Sequence, residues 1–156
     1  QMCAQDYDFL IKNNITKILV VGEGLECPFE TNPRFTYSEI PVLDMQEEQI
    51  IKYFGKAFDF IDNRVNEFGD TTGNVLVHCV AGISRSATIV IAYLMRKYGM
   101  SYFEALNYVQ QKRPIVDPNP GFVKQLQKYE RQLRMEGVIK SKTGAVTWAA
   151  REWNDE

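Results

Sequence analysis

The spacing of apolar residues in the first half of the chain predicts two short strands set between helices. Residues 3–14 carry apolar side chains at helical spacing, and the β-branched run 15–21 predicts a buried strand that ends at a glycine. Glycine, proline and asparagine residues over 22–34 indicate a loop. The alternation over 35–40 predicts a second strand. Apolar positions on one helical face then predict a long helix over 47–68.

The second half of the chain has the pattern of one strand followed by three helices. A short buried strand is predicted over 74–77, and the β-branched residues within 86–98 would by themselves suit another strand. The length of this segment, and Gly99 at the position of a helix C-cap, favour a helix buried on nearly all sides. Further helices are predicted over 101–113, where a capping box marks the start, and from Pro120 onward. This order predicts an α/β fold with helices packed on a small sheet.

Composition and charge change this picture mainly by exclusion. The chain has 156 residues, a length that fits one domain. Its 18 basic and 20 acidic residues give a net charge of −2, which argues against a large nucleic-acid-binding surface. The longest apolar run, 87–95, is less than half of what a membrane span needs, and the start does not resemble a signal peptide. Three cysteines and a single histidine allow no zinc-ligand spacing, and the odd cysteine count indicates a reducing compartment. We therefore expect a protein of the cytoplasm or nucleus, without nucleic acid, membrane span or metal.

The segment 78–86 combines a cysteine, an arginine and small residues between a predicted strand and a predicted helix. Such a turn directs several backbone N–H groups, and the positive end of the helix dipole, toward one point. A phosphate is stabilised there, and so is the thiolate of Cys79, since cysteine pKa values in such surroundings fall to roughly 3.5–7.5. Arg85 follows six positions later and can donate to two phosphate oxygens, Gly82 allows a tight turn, and Ser86 can bond the sulfur.

The stretch His-Cys-Val-Ala-Gly-Ile-Ser-Arg-Ser-Ala-Thr resembles the signature of cysteine-dependent protein tyrosine phosphatases, and in this longer form the dual-specificity subgroup. The resemblance covers roughly 4–135 and does not include the edge strand that the family usually has before its first helix. It implies a phosphatase-like α/β fold with a small mixed central sheet flanked by helices. It also implies a catalytic domain over 1–135, followed by a tail over 136–156 that has no counterpart in the family.

The resemblance assigns a role to each residue of the signature. Cys79 would form a cysteinyl-phosphate, Arg85 would hold phosphate oxygens, and Ser86 would stabilise the departing thiolate. The phosphate-binding loop would consist of Val80, Ala81, Gly82, Ile83, Ser84 and Arg85. His78 and Asn119 are expected to support this loop, and no metal or cofactor is implied.

The family also uses a general-acid aspartate on a loop before the cysteine. Asp44 lies within a segment that matches this loop, and it precedes Cys79 by 35 residues. Three other aspartates compete with it: Asp59 and Asp62 fall on the predicted long helix, and Asp70 falls in a turn. We expect Asp44 to be the acid.

The function implied by the resemblance is a dual-specificity protein phosphatase whose substrate is a phosphorylated protein, for example a signalling kinase. Two alternatives are a phosphoinositide or RNA 5′-phosphatase and a non-catalytic module that binds phosphorylated residues. Relatives of the first kind tend to carry basic residues within the phosphate loop, whereas 80–84 are uncharged here, and the second kind would lack a catalytic residue. Cys27 could be a redox partner of Cys79, although a free loop thiol is the simpler interpretation. Arg113 could contact a second phosphate or lie exposed at its helix end.

Overall fold

The structure, a computed structural model, describes residues 2–65 and 72–140. The described chain begins with a 3-10 helix, Met2–Gln5, and another, Ile50–Tyr53, leads into the second α-helix. The strands are β1 (Ile15–Val21), β2 (Thr36–Ile40) and β3 (Asn74–His78), and the helices are α1 (Tyr7–Lys12), α2 (Phe54–Asp62), α3 (Arg85–Tyr98), α4 (Tyr102–Lys112) and α5 (Pro120–Met135). The predicted α/β fold with a small sheet and flanking helices is confirmed.

The three strands form a parallel sheet in the order β2-β1-β3. The resemblance implied a sheet of mixed direction, but the strands of the described residues are all parallel, because each connection returns the chain to the same end of the sheet. Ile18 of β1 lies opposite Tyr37 on one side and Leu76 on the other. Since the carboxyl ends of parallel strands meet at one edge, the loops that follow Val21, Ile40 and His78 all begin there. This edge holds the candidate site.

Helices cover both faces of the sheet, so that β1 is buried over nearly its whole length. Alternate residues of β1 face opposite sides. Leu19 and Val21 belong to the larger core, which β1 shares with α2, α3 and α5. Ile18 and Val20 pack with Leu10 of α1 on the other side. Helix α3 lies deepest, with eight of its fourteen residues buried, as its apolar sequence predicted.

The long helix predicted over 47–68 is wrong at both ends. The chain is irregular until the 3-10 turn at Ile50, and α2 ends at Asp62. The helix stops there because the ammonium group of Lys17, in β1, donates to two carbonyls at its end, one of them that of Asn63 at 2.7 Å. The remainder, 66–68, lies outside the described residues.

Other element boundaries follow the local signals closely. The helix predicted over 3–14 is divided at Asp6, whose side chain caps α1 by accepting from the Phe9 N–H at 3.0 Å. Gly99 ends α3 in the left-handed conformation with φ 65°, and Ser101 begins α4 with the expected capping box. The predicted division into a domain over 1–135 and a tail over 136–156 stays a prediction, since 141–156 lie outside the described residues. Within the described ranges, no helix is both long and apolar enough to cross a membrane.

Candidate active site

The loop between β3 and α3 curls around the sulfur of Cys79. Cys79 is buried, its Sγ accepts from the Gly82 N–H at 3.3 Å, and it lies 3.1 Å from the Ser86 hydroxyl oxygen. Gly82 adopts φ +68°, a left-handed conformation that a residue with a Cβ resists, and this residue turns the loop back toward the sulfur. The loop is therefore a concave cradle with donors directed inward, which is an anion-binding arrangement.

The surroundings of Cys79 favour its thiolate. Burial raises the pKa of the Cys79 thiol, but hydrogen bonds from Ser86 and Gly82 and the charge of Arg85 more than offset this, so its pKa lies below the ordinary value. In contrast, burial and two nearby carboxylates raise the pKa of Cys27. Cys27 packs with the α1-side core, away from the loop cradle. Of these two thiols, only Cys79 is activated for nucleophilic attack.

His78 is buried directly behind the cysteine. Its Nδ1 lies 3.2 Å from the carbonyl oxygen of Cys79, and because a carbonyl can only accept, this nitrogen carries the proton. Burial lowers the pKa of His78, which keeps the ring neutral near pH 7. The imidazole therefore contacts the peptide that starts the loop.

Arg85 stands at the first position of α3, with its guanidinium near the loops that follow β1 and β2. One terminal nitrogen lies 3.4 Å from the carbonyl oxygen of Val42. Gly22 leaves room for the side chain, because a Cβ at Gly22 would come within 2.8 Å of the same nitrogen. The Nε of Arg85 is buried and has no partner within the described part of the chain. The guanidinium thus keeps donors for an oxyanion in the cradle.

Asp44 is the aspartate that the fold brings to the loop. Its Oδ1 accepts from the Ser84 hydroxyl at 2.7 Å and from the Asn119 side-chain amide at 2.9 Å. The competing Asp62, at the end of α2, instead forms an ion pair with Lys97 of α3 at 2.7 Å. Asp59 is exposed on α2, and Asp70 lies outside the described residues.

Asn119 connects three parts of the site. Its side-chain oxygen caps α5 by accepting from the Phe122 N–H at 2.9 Å, while its amide nitrogen donates to Asp44. Its backbone N–H donates to the Ser84 hydroxyl at 3.0 Å. Asn119 therefore joins the loop that carries Asp44, the phosphate loop and the start of α5.

A nucleophile, an arginine and a carboxylate around one cradle are the parts of a phosphoryl-transfer site, and comparison with known proteins identifies which kind. Residues 1–132 match the family model described as dual specificity phosphatase, catalytic domain. The chain belongs to this family. The resemblance found in the signature of the phosphate loop is therefore confirmed, and with it the prediction of a protein phosphatase.

Relatives within the dual specificity phosphatase family are similar over most of the chain. Dual specificity protein phosphatase 1B of Arabidopsis thaliana is 41% identical over 84% of this chain and 75% of its own length. Dual specificity protein phosphatase 19 of Mus musculus is 42% identical over 83% of this chain and 56% of its own. The crystal structure of human DUSP28 is 32% identical with a TM-score of 0.76, covering 85% of this chain and 89% of that one. The chain thus spans about three quarters of the length of the plant relative and little more than half of the mouse relative.

Arg113 braces the phosphate loop from outside, a contact that the sequence pattern did not predict. Its Nε donates to the carbonyl of Gly82 at 3.1 Å and a terminal nitrogen donates to that of Ala81 at 3.0 Å. The N–H of Asp117 donates to the carbonyl of Ile83 at 3.0 Å. These bonds turn the loop carbonyls outward, which leaves its N–H groups for the cradle. The position of Arg113 at a helix end was visible in the sequence, but its partner Gly82 lies 31 residues earlier.

Helix α5 holds the loop of Asp44 in a similar way. The Gln125 side chain accepts from the Ile51 N–H at 3.0 Å and donates to the Glu48 carbonyl at 2.8 Å. Gly121 permits close backbone contact, since a Cβ there would lie 2.6 Å from the Cα and carbonyl carbon of Gln46. The loop of Asp44 is consequently held against the first turns of α5.

Proposed function

We propose that this chain is a catalytic domain that hydrolyses phosphotyrosine and phosphoserine/threonine in proteins through a cysteinyl-phosphate intermediate. The observation that carries the proposal is the pairing of two groups at one loop. The sulfur of Cys79 has a lowered pKa inside the cradle, and Asp44 is hydrogen-bonded to Ser84 of the same loop. A nucleophile and a proton donor on opposite sides of a bound phosphoryl group are what in-line displacement requires.

In the first step the thiolate of Cys79 attacks phosphorus. The S–P bond forms as the bond from phosphorus to the substrate oxygen breaks. Arg85 and the backbone N–H groups of 80–85 hold the equatorial oxygens, and each donor aimed at developing charge contributes about 2.7–4 kcal/mol. The carboxylic proton of Asp44 passes to the leaving oxygen. Because Oδ1 of Asp44 already accepts two hydrogen bonds, Oδ2 is the oxygen that carries this proton.

In the second step water releases the phosphate. The carboxylate of Asp44 takes a proton from water, whose oxygen bonds to phosphorus while the S–P bond breaks. The thiolate of Cys79 leaves, and the hydroxyl of Ser86, 3.1 Å away, donates to it. A hydrogen bond to the charged form lowers the free energy of the leaving group. His78 and Asn119 act through the loop, by fixing its first peptide and the acid.

The alternatives raised by the sequence are less well supported by the site. A substrate with several phosphates would need further cations, yet the guanidinium of Arg113 is used by two loop carbonyls. A module that only binds phosphorylated residues would not need an activated thiol or a positioned acid. A protein phosphatase accounts for both.

The proposal is tested by turnover of phosphotyrosine and phosphoserine peptides by the wild type, Cys79→Ser, Asp44→Asn and, as a matched control, Asp59→Asn. Cys79→Ser should lose turnover but still bind phosphopeptide, because Arg85 and the loop remain. Asp44→Asn should lose about 10²–10⁴-fold on phosphoserine, whose alkoxide leaves poorly, and less on aryl phosphates with acidic phenols. Asp59→Asn, at an exposed position of α2, should behave as the wild type.

Two results would contradict the proposal. If Cys79→Ser kept more than about a hundredth of the turnover, the step would not be covalent catalysis by this residue. If Asp44→Asn were equally impaired on both leaving groups, another group would be the acid.

A further inference from the structure

Exposed apolar side chains are concentrated around the mouth of the site. Nine large apolar side chains are exposed in the described part of the chain, and five of them flank the acid, the phosphate loop or its brace. They are Leu43 (41% exposed), Met45 (51%), Val80 (48%), Ile83 (37%) and Ile115 (52%). Single exposed apolar residues are common, but a group of them beside one cleft indicates a binding surface. We refer to these five residues as the apolar rim.

Hydrogen bonds fix the members of the apolar rim relative to one another. Leu43 and Met45 stand on either side of Asp44, which is bonded to Ser84 of the phosphate loop at 2.7 Å. Val80 and Ile83 belong to that loop. Ile115 follows Arg113, which donates to two carbonyls of the loop. The five residues therefore all belong to segments that are bonded to the phosphate loop, where a phosphorylated residue must bind.

The charges next to the apolar rim are acidic or already paired. Asp117 is exposed two residues after Ile115, and its N–H donates to the Ile83 carbonyl at 3.0 Å. Of the two arginines nearby, Arg85 donates to the Val42 carbonyl and Arg113 donates to two carbonyls of the loop. A carboxylate on the substrate beside the phosphorylated residue would meet the like charge of Asp117, and neither of these two arginines is directed at it.

We infer that the apolar rim selects substrates by the side chains that flank the phosphorylated residue, and that this chain prefers phosphoproteins with apolar residues directly beside it. The inference rests on the proposed function and narrows its substrate class. Contact of an apolar flank with the rim removes apolar surface of both partners from water, which strengthens binding in the ground and transition states alike. One methylene in an enclosed pocket changes kcat/KM by about 10–200-fold, and an open rim should act near the lower limit, at about tenfold.

The test compares kcat/KM for two phosphotyrosine peptides that differ only in the flanking residues, leucine in one and glutamate in the other. A small aryl phosphate, which has no flanks, is measured in parallel. The wild type should prefer the leucine peptide by about tenfold. Ile115→Lys should lower this ratio, since it replaces an apolar contact by a cation that attracts the glutamate flanks. Phe103→Ser, at an apolar position on α4 that is even more exposed than Ile115, is the control and should leave the ratio unchanged.

The ratio between two peptides is internal to each enzyme, so a partly folded variant changes both rates equally and leaves the ratio intact. This inference alone would be overturned if the two peptides reacted at equal rates, or if the glutamate peptide were preferred, while turnover of the aryl phosphate was normal. Absence of aryl-phosphate turnover would overturn the proposed function as well. Vesicles that carry a phosphoinositide form the last arm, and faster turnover there than on the leucine peptide would also overturn the inference.

Discussion

Replacing Gly121 by alanine should separate the acid from the phosphate loop without touching either. Gly121 is the second residue of α5, and the backbone of Gln46 approaches so closely that an added Cβ would lie 2.6 Å from its Cα. The Cβ would clash still more closely with the carbonyl oxygen of Gln46, and ordinary contact begins at 3.4 Å, so one of the two backbones must shift by at least about 0.8 Å. Because the start of α5 is fixed by the Asn119 cap, the loop of Asp44 is the part that can move.

This shift is large relative to the contacts that position Asp44. Its 2.7 Å bond from Ser84 would lengthen to about 3.5 Å or more, where a hydrogen bond is lost. Misplacement of a catalytic group by about 1 Å can cost about 10²-fold in rate, and overpacking costs about 1–3 kcal/mol of unfolding free energy. We expect Gly121→Ala to lose about 10²-fold in kcat on phosphoserine and much less on an aryl phosphate with an acidic phenol.

The control is the same substitution at the same position of another helix. Gly55 is the second residue of α2, and nothing lies within 4 Å of a Cβ there. Gly55→Ala should stabilise the fold by about 0.4–1 kcal/mol and leave turnover unchanged. Denaturant unfolding measures the stability of both variants. Steady-state kinetics on the two substrates measures how much Asp44 contributes to turnover as the general acid. If Gly121→Ala kept the wild-type ratio of kcat between alkyl and aryl substrates, the contact of the Asp44 loop with α5 would not determine the position of the acid.

Two further predictions concern the cradle itself. Arg85→Lys keeps the charge but loses the planar pair of donors, so phosphate affinity and turnover should both fall sharply; near-normal kinetics would mean that Arg85 acts only as a remote charge. Ser86→Ala removes a donor to the sulfur, so the pKa of Cys79 should rise, and the pH midpoint for its alkylation by iodoacetamide should move upward from a value below that of an ordinary thiol. Peptide mapping by mass spectrometry would follow Cys79 and Cys27 separately, and Cys27, whose pKa is raised, should require more alkaline pH. An unchanged midpoint for Cys79 in Ser86→Ala would show that the hydroxyl does not stabilise the thiolate.

The features that the sequence predicted correctly depend on residues close to one another along the chain. The strand β1 follows from an unbroken β-branched run, α3 from its length and Gly99, and α4 from the capping box at Ser101. The cysteine, the arginine and the loop between them also belong to one short segment. Asp44 and Asn119 lie far from this segment along the chain, and only the resemblance to the family assigned them to the site.

The features that were missed depend on contacts between distant segments. The end of α2 is set by Lys17, which lies 46 residues before the carbonyl of Asn63 that it bonds. The brace from Arg113 and the seat that Gly121 provides for the acid loop join parts of the chain that are 31 or more residues apart. Helical periodicity cannot reveal a hydrogen-bond partner that only the tertiary fold brings close. The sequence therefore predicted the reactive side chains and missed some of the residues that position them.

The strand order of the sheet has a consequence for how the protein reaches its active form. The central strand β1 is the first to be synthesised, yet its partners are distant, since Ile18 pairs with Tyr37 and with Leu76. Parallel pairing over such separations requires large loops to close before any contact is gained, which slows folding. The cradle and the acid both extend from this edge, so neither exists in a partly built sheet. Activity should therefore return during refolding in one step with the last strand to join, and not gradually with the helices.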